Sequence, residues 1–202
     1  MIYYIADTHF GHKNVILFDQ RPFFDVEEME ESITMLWNAV VRKNDTVYIL
    51  GDFCWGKADE WLRIIRKLNG SKVLIEGNHD LSSYPAKLKQ EFADIKPYKE
   101  ISDNGRKVLM CHYPMLFYKH ANNEKYYMLC GHVHRTAEND LLERWSEELR
   151  EKYHSDSPDH VANAGQIYNV GCMMPWMEYT PRTLDEIIRR KKQYCESTQG
   201  KE

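Results

Sequence analysis

Short apolar runs and longer amphipathic stretches alternate along the first part of the chain. Residues 2–6 (IYYIA), 46–50 (TVYIL) and 72–76 (KVLIE) are apolar runs of strand length. Between the first two, Val26, Met29, Ile33, Leu36 and Val40 recur at helical spacing over 26–41. Glu27, Glu28, Glu30 and Glu31 fill the first turns of that stretch, where negative charge suits the positive end of a helix dipole. Trp61, Ile64, Ile65 and Leu68 mark a second amphipathic helix, closed by Asn69-Gly70. Residues 7–24 carry no clean period and read as loop. Strand, helix, strand, helix, strand is the signature of an α/β fold with a largely parallel sheet.

The pattern then changes. Residues 95–101 and 106–111 flank Asp103-Asn104-Gly105, a hairpin-turn signal. Residues 126–130 and 166–170 read as further strands, which predicts a second and more antiparallel sheet. A charged helix is expected over 138–154, a loop over 155–165 (SDSPDHVANAG), and a last helix over 183–194. The stretch 138–165 is either a lid or partner surface over a site, or a plain surface helix. The last helix ends in Arg189-Arg190-Lys191-Lys192, which reads better as a solvated helix C-terminus than as a nucleic-acid contact.

Composition narrows the class. The chain has 202 residues, 43% hydrophobic and 29% charged, which fits one globular domain over 1–202. A formal net charge of −4 gives no global drive toward nucleic acid or acidic membranes. No apolar run is long enough to span a bilayer, and the N-terminus lacks the pattern of a secretory signal. The five cysteines (54, 111, 130, 172, 195) are odd in number and show no CxxC spacing. Neither a disulfide framework nor a zinc knuckle is expected, and a reduced, cytoplasmic setting is.

Five polar clusters each follow an apolar run: Asp7-Thr8-His9, Gly51-Asp52, Gly77-Asn78-His79-Asp80, His112, and Gly131-His132-Val133-His134. Loops at the carboxyl ends of parallel strands converge on one site, so residues far apart in sequence can meet there. Carboxylate, imidazole and amide oxygen together suit divalent Mn, Fe, Zn, Ni or Co. In an extended segment, alternation would put Asp7 and His9 on one side, and likewise His132 and His134. The glycines before Asp52, Asn78 and His132 fit tight turns where backbones approach closely.

The ordered set DxH, GD, GNHD, H, GHxH resembles the calcineurin-like metallophosphoesterases. The resemblance runs from Asp7 to His134 and on to Asn169-Val170-Gly171, similar to the family's closing strand. The string 7–14 (DTHFGHKN), with Arg21-Pro22-Phe23 and Trp37-Asn38, resembles a bacterial and phage subgroup of small enzymes. The resemblance implies a four-layer α/β-β/α sandwich with two divalent metal ions at one edge. It implies that Asp7, His9, Asp52 and His134 hold one ion and that Asp52, Asn78, His112 and His132 hold the other, with Asp52 bridging. His79 matches the family's catalytic histidine, Asn78 would also meet substrate, and Asp80 would steady that loop.

Protein phosphatases of this superfamily carry GDxVDRG, whose Arg grips phosphate. Here the string is Gly51-Asp52-Phe53-Cys54-Trp55-Gly56, without that Arg, which argues against a protein substrate. The expected activity is hydrolysis of a small phosphate ester by hydroxide held between the ions, with His79 as general acid. The aromatic residues crowding the motif loops, some able to stack on a nucleobase, tilt the reading to a phosphodiester or nucleotide-like substrate. The alternatives are a phosphomonoesterase and a non-catalytic interaction scaffold. His12 is either a second proton donor reaching the phosphate or a loop histidine. Arg21 either replaces the missing phosphate-gripping Arg or forms a structural salt bridge.

Overall fold

The computed structural model describes residues 1–156 and 165–199. Its eight strands form two sheets of four. The first is β1 (Ile2–Ile5), β2 (Thr46–Ile49), β3 (Ser71–Ile75) and β4 (Phe92–Lys96), in that order and all parallel. The second is β5 (Tyr98–Asp103), β6 (Arg106–Cys111), β7 (Tyr126–Cys130) and β8 (Gln166–Asn169).

The helices follow the alternation read from the sequence. α2 (Val26–Val40) buries Met29, Ile33 and Trp37, and its cap Asp25 accepts a hydrogen bond from the Glu28 amide. α3 (Ala58–Ile65) buries Trp61, Ile64 and Ile65. Two single turns, α1 (Val15–Phe18) and α4 (Ala86–Lys89), complete the first half. α1 interrupts the stretch 7–24 expected to be loop, and it leaves Leu17 and Phe18 exposed. α5 (Ala137–Asp156) and α6 (Leu184–Gln199) belong to the second half.

The second sheet is more antiparallel than the first, as expected, but only in part. Only β5–β6 is antiparallel, while β6–β7 and β7–β8 are parallel. The hairpin turn is where the sequence puts it, with Asn104 and Gly105 both at positive φ (48° and 80°), the backbone that a two-residue turn requires. The apolar run near 95–101 is two strands rather than one. The chain leaves the first sheet after Lys96 and enters the second at Tyr98, pivoting on Pro97.

Both faces of the second sheet are covered. Val108, Met110, Tyr127 and Leu129 pack into the large core shared with the first sheet and its helices. Leu109, Met128, Cys130 and Ile167, one step out of phase, join Leu142 of α5 in a second cluster. Alternate residues thus face opposite sides, as strand geometry demands, which explains why these runs are apolar throughout. The result is the α/β-β/α sandwich. At one edge the sheets are joined through isolated bridges from Tyr4 to Arg182 and from Ala6 to Gly171.

The basic run does not end α6, which continues to Gln199, and it is solvated only in part, with Arg189 and Lys192 exposed. Lys191 is buried against Glu143, with its ammonium 5.0 Å from the Tyr168 ring and 5.2 Å from the Trp176 ring. Arg190 bonds the Trp176 carbonyl and Glu178. Of the loop expected over 155–165, residues 157–164 lie outside the described residues, so the lid reading is untouched beyond α5 itself. No helix of the described residues is long and apolar enough to cross a membrane. The five cysteines are free thiols in this structure.

Candidate metal centre

The polar clusters follow β1, β2, β3, β6 and β7 directly, and the parallel course of these strands brings the clusters to one edge. Local backbone does the final aiming. Asp7, His9, Asp52, His132 and His134 all sit in the left-handed region, at φ of 54°, 49°, 49°, 70° and 45°. The segments after β1 and β7 are therefore kinked, not extended, and simple alternation is the wrong reason for the convergence of their paired side chains. A non-glycine residue in this region costs on the order of 1–3 kcal/mol, so five together show a geometry held against local preference.

One ligand atom from each of Asp7, His9, Asp52 and His134 lies within 4.8 Å of the other three. His9 Nε2 is 3.3 Å from His134 Nε2 and 3.6 Å from Asp52 Oδ2, and His134 Nε2 is 3.8 Å from Asp7 Oδ1. Beside this group, Asn78 Oδ1 lies 2.9 Å from both His112 Nε2 and His132 Nδ1. His112 Nε2 is 3.5 Å from the same Asp52 Oδ2. Asp52 therefore stands between the two groups, and all seven side chains named from the sequence converge.

The donor chemistry fits cations. Asp7, His9, Asp52 and His112 are almost wholly buried. Burial pushes the Asp7 carboxyl above its ordinary pKa. Burial, helped by Arg21 and the neighbouring histidines, pushes His9 far below its own. His9 is thus a neutral imidazole with a lone pair to offer, aimed at carboxylates that need a positive partner. The His9 and His134 Nε2 atoms, 3.3 Å apart, can share one hydrogen, and with that hydrogen removed both would offer lone pairs to an ion.

The imidazoles are also oriented from behind. His112 Nδ1 is 2.8 Å from the Leu50 carbonyl. A carbonyl oxygen only accepts, so Nδ1 carries the hydrogen and Nε2 is left as a donor of electrons. His134 Nδ1 is 2.7 Å from Asp19 Oδ1. Burial opposes charge on His134, yet Asp19 and Asp7 hold its pKa above the ordinary value. Asp19 was not singled out from the sequence. It lies in a stretch without period, and no strand end marks it. The one available signal was its place two residues before Arg21.

Arg21 resolves in favour of the salt bridge. Its guanidinium has no exposed surface. It donates to Asp19 Oδ2 from Nε at 2.9 Å and Nη2 at 2.8 Å, and to the Asp7 and Thr8 carbonyls at 2.9 Å each. Arg21 thereby fixes the backbone of the Asp7 loop and the carboxylate behind His134. No face of it is left to grip a phosphate.

His79 is exposed at the rim, its ring centroid 5.9 Å from that of His9, and its amide donates to Asp52 Oδ1 at 2.8 Å. Asp80 accepts from the amides of Gly77 (2.8 Å), Phe53 (2.9 Å) and Asp52 (3.2 Å), tying the loop after β3 to the loop after β2. The two loops approach so closely that a Cβ on Gly77 would lie 2.4 Å from Asp52 Oδ1. One on Gly131 would lie 2.5 Å from Asp7 Oδ2. His12 stacks on Trp55 (centroids 4.2 Å apart, planes 10° apart), with its ring 5.3 Å from that of His9. Asn169, at the end of β8, donates to the His134 carbonyl and to Asn139 Oδ1, and its own oxygen accepts from the Gly171 amide. It acts on the backbone of the centre and not on its donors.

Known proteins share the sequence pattern and the fold. The sequence profile of the calcineurin-like phosphoesterase superfamily domain matches residues 1–167. An uncharacterized protein of Methanocaldococcus jannaschii is 38% identical over 135 residues, 66% of this chain and 69% of its own length. The gene 66 protein of Mycobacterium phage L5 is 36% identical over 81 residues, 39% of each chain. Among solved structures, a protein of unknown function from Aquifex aeolicus is 29% identical, with a TM-score of 0.59 over 94% of this chain and 98% of its own.

Proposed function

The chain belongs to the calcineurin-like phosphoesterase superfamily, and from that premise we propose that it is a dinuclear metal-dependent phosphoesterase. The observation that carries this reading is the position of Asp52 Oδ2, 3.6 Å from His9 Nε2 and 3.5 Å from His112 Nε2, a carboxylate oxygen shared by two adjacent donor groups. Asp7, His9, Asp52 and His134 would hold one ion, and Asp52, Asn78, His112 and His132 the other. The donors are compatible with Mn, Fe, Zn, Ni or Co. When bound, two such ions supply a nucleophile at neutral pH and neutralise charge developing on the phosphoryl oxygens.

The chain's own residues do the rest. Hydrolysis breaks one P–O bond, and the departing oxygen needs a proton. His79 is the accessible imidazole at the rim and is the proposed donor, a role that contributes ~10²–10⁴-fold. Asn78, exposed beside it, would meet a phosphoryl oxygen as well as help hold the second ion. His12 stands next to the first donor group as a second candidate for proton transfer or phosphate contact. The favoured substrate is a phosphodiester or a nucleotide-like ester, because exposed aromatic rings flank both donor groups. Trp55 lies on the His9 side, and Tyr113 packs 4.6 Å from the His132 ring. A panel of mono- and diesters assayed on Mn-, Fe-, Zn-, Ni- and Co-loaded protein tests the reading. Hydrolysis of the diester beyond the monoester supports it. A wide monoester preference overturns the substrate class, and no hydrolysis with any metal overturns the activity.

A further inference from the structure

Trp55 is a large aromatic side chain that the fold keeps half in solvent. The residue is 45% exposed, while the neighbouring Phe53 and Phe10 are fully buried. The exposure is not slack in a mobile tip. The backbone of this loop is laced to the loop after β1. The His9 amide donates to the Asp52 carbonyl at 2.9 Å, Phe10 to Phe53 at 3.0 Å, and Trp55 to Phe10 at 2.7 Å, with a bridge between Phe10 and Cys54. Gly11, at φ +78°, lies so near that a Cβ there would come within 3.3 Å of the Trp55 carbonyl. The His12 imidazole covers one face of the indole at 4.2 Å, and Phe18 meets His12 edge-on at 6.3 Å. The His79 ring lies 5.6 Å from Trp55 on the side toward the donor groups.

We propose that Trp55, backed by His12, is the shelf on which the leaving alcohol of the substrate stacks, and that this alcohol carries a nucleobase or an equivalent aromatic ring. The proposal rests on the phosphoesterase reading, and on His79 as the group that meets the departing oxygen. An organic group attached to that oxygen lies within one ring's breadth of Trp55. A flat, rigid indole with one face already stacked loses little conformational freedom when a second ring covers the other face. Every base has a π-face, so such a shelf selects aromatic alcohols over aliphatic ones without reading a base sequence. A chain with no excess positive charge suits a nucleotide-sized ester rather than a long strand. Trp55 on this reading is a specificity-determining residue.

The test compares two phosphodiesters that share a methyl group and differ in the second alcohol, the 5′-hydroxyl of adenosine or that of 1-methyl ribose, with the rate read as methyl phosphate formed, the product left when that second alcohol departs. The two leaving oxygens are matched, so the ratio of kcat/KM isolates the base. The Mn-loaded protein should favour the adenosine ester by about tenfold or more. Trp55→Leu should bring the ratio close to one, and Trp55→Phe should retain part of it. Trp145→Ala, at an exposed tryptophan of α5, should leave it unchanged. Dissociation constants for adenosine 5′-monophosphate and ribose 5-phosphate on the same proteins give a readout without turnover, and should show the same ranking. Diester hydrolysis with no base preference in the wild type, or a preference that survives in Trp55→Leu, overturns the shelf and leaves the phosphoesterase reading standing. Trp55-dependent preference for adenosine 5′-monophosphate in a protein that hydrolyses nothing overturns the activity and leaves the shelf. Should Trp55→Leu fail to fold, the wild-type ratios and the Trp55→Phe protein still decide.

Discussion

Asp19 Oδ1 lies 2.7 Å from Nδ1 of His134, on the side of the ring opposite the Nε2 that faces Asp7 and His9. A carboxylate behind an imidazole fixes its tautomer and rotation and raises its basicity. Asp19→Ala should weaken binding of the first ion by about 10–100-fold while the chain stays folded. Titration of the apo-protein with Mn²⁺, read by calorimetry, checks it. Unchanged affinity would remove Asp19 from the centre and leave it only as the ion-pair partner of Arg21.

Asp52 should be the most damaging single ligand to lose. Its Oδ2 faces both donor groups and its Oδ1 accepts the His79 amide. Asp52→Ala should reduce metal content from two ions to one or none per chain, measured by elemental analysis after dialysis. Full occupancy in that variant would contradict the shared-ligand assignment.

His79 should separate chemistry from metal binding. His79→Ala is expected to keep both ions and to lose ~10²–10⁴-fold in kcat. A variant that holds its metals and turns over at the wild-type rate would pass the proton-donor role to His12, next tested as His12→Ala.

Gly77→Ala should damage the centre without removing any donor. The added Cβ would sit 2.4 Å from Asp52 Oδ1 and 2.5 Å from the Asp52 amide nitrogen, and backbone has little freedom to give way. The cost is about 1–3 kcal/mol from overpacking, with loss of metal affinity as the loops separate. Thermal denaturation with and without added metal measures both effects. A variant with unchanged melting and affinity would show that the loops can spread.

Chelation should lower thermal stability even in the intact protein. An ion bound at a hundred times its Kd adds about 2.7 kcal/mol, which in a domain of this size raises Tm by about 5–10 °C. Calorimetry with EDTA against Mn²⁺ reads the difference. Identical melting curves would mean that the donor groups do not bind the ion under those conditions.

Much of this was legible in the sequence because strand ends punctuate it. Asp7, Asp52, Asn78, His112, His132 and His134 each stand just past an apolar run, and chain order plus parallel strands bring such positions together. The backbone states that aim them were not legible. Nothing in Asp-Thr-His announces two left-handed residues, because that conformation is imposed by tertiary contacts such as the hydrogen bonds from Arg21 to the Asp7 and Thr8 carbonyls. Asp19 was hidden for a related reason, since its partner His134 lies 115 positions away. The second sheet is the more antiparallel of the two, as expected, but only in its first pair, because a tight Asn-Gly turn advertises one antiparallel pair and says nothing about the strands beyond it. The run at 95–101 concealed a change of sheet, because both halves are equally suited to extended backbone.

The donors are split between the two halves of the sandwich. Asp7, His9, Asp52 and Asn78 extend from the strands of the first sheet, and His112, His132 and His134 from those of the second. Neither sheet alone presents a complete set for either ion. Ions held by these donors would therefore tie the two sheets together across the seam, adding to the large hydrophobic core that the sheets share.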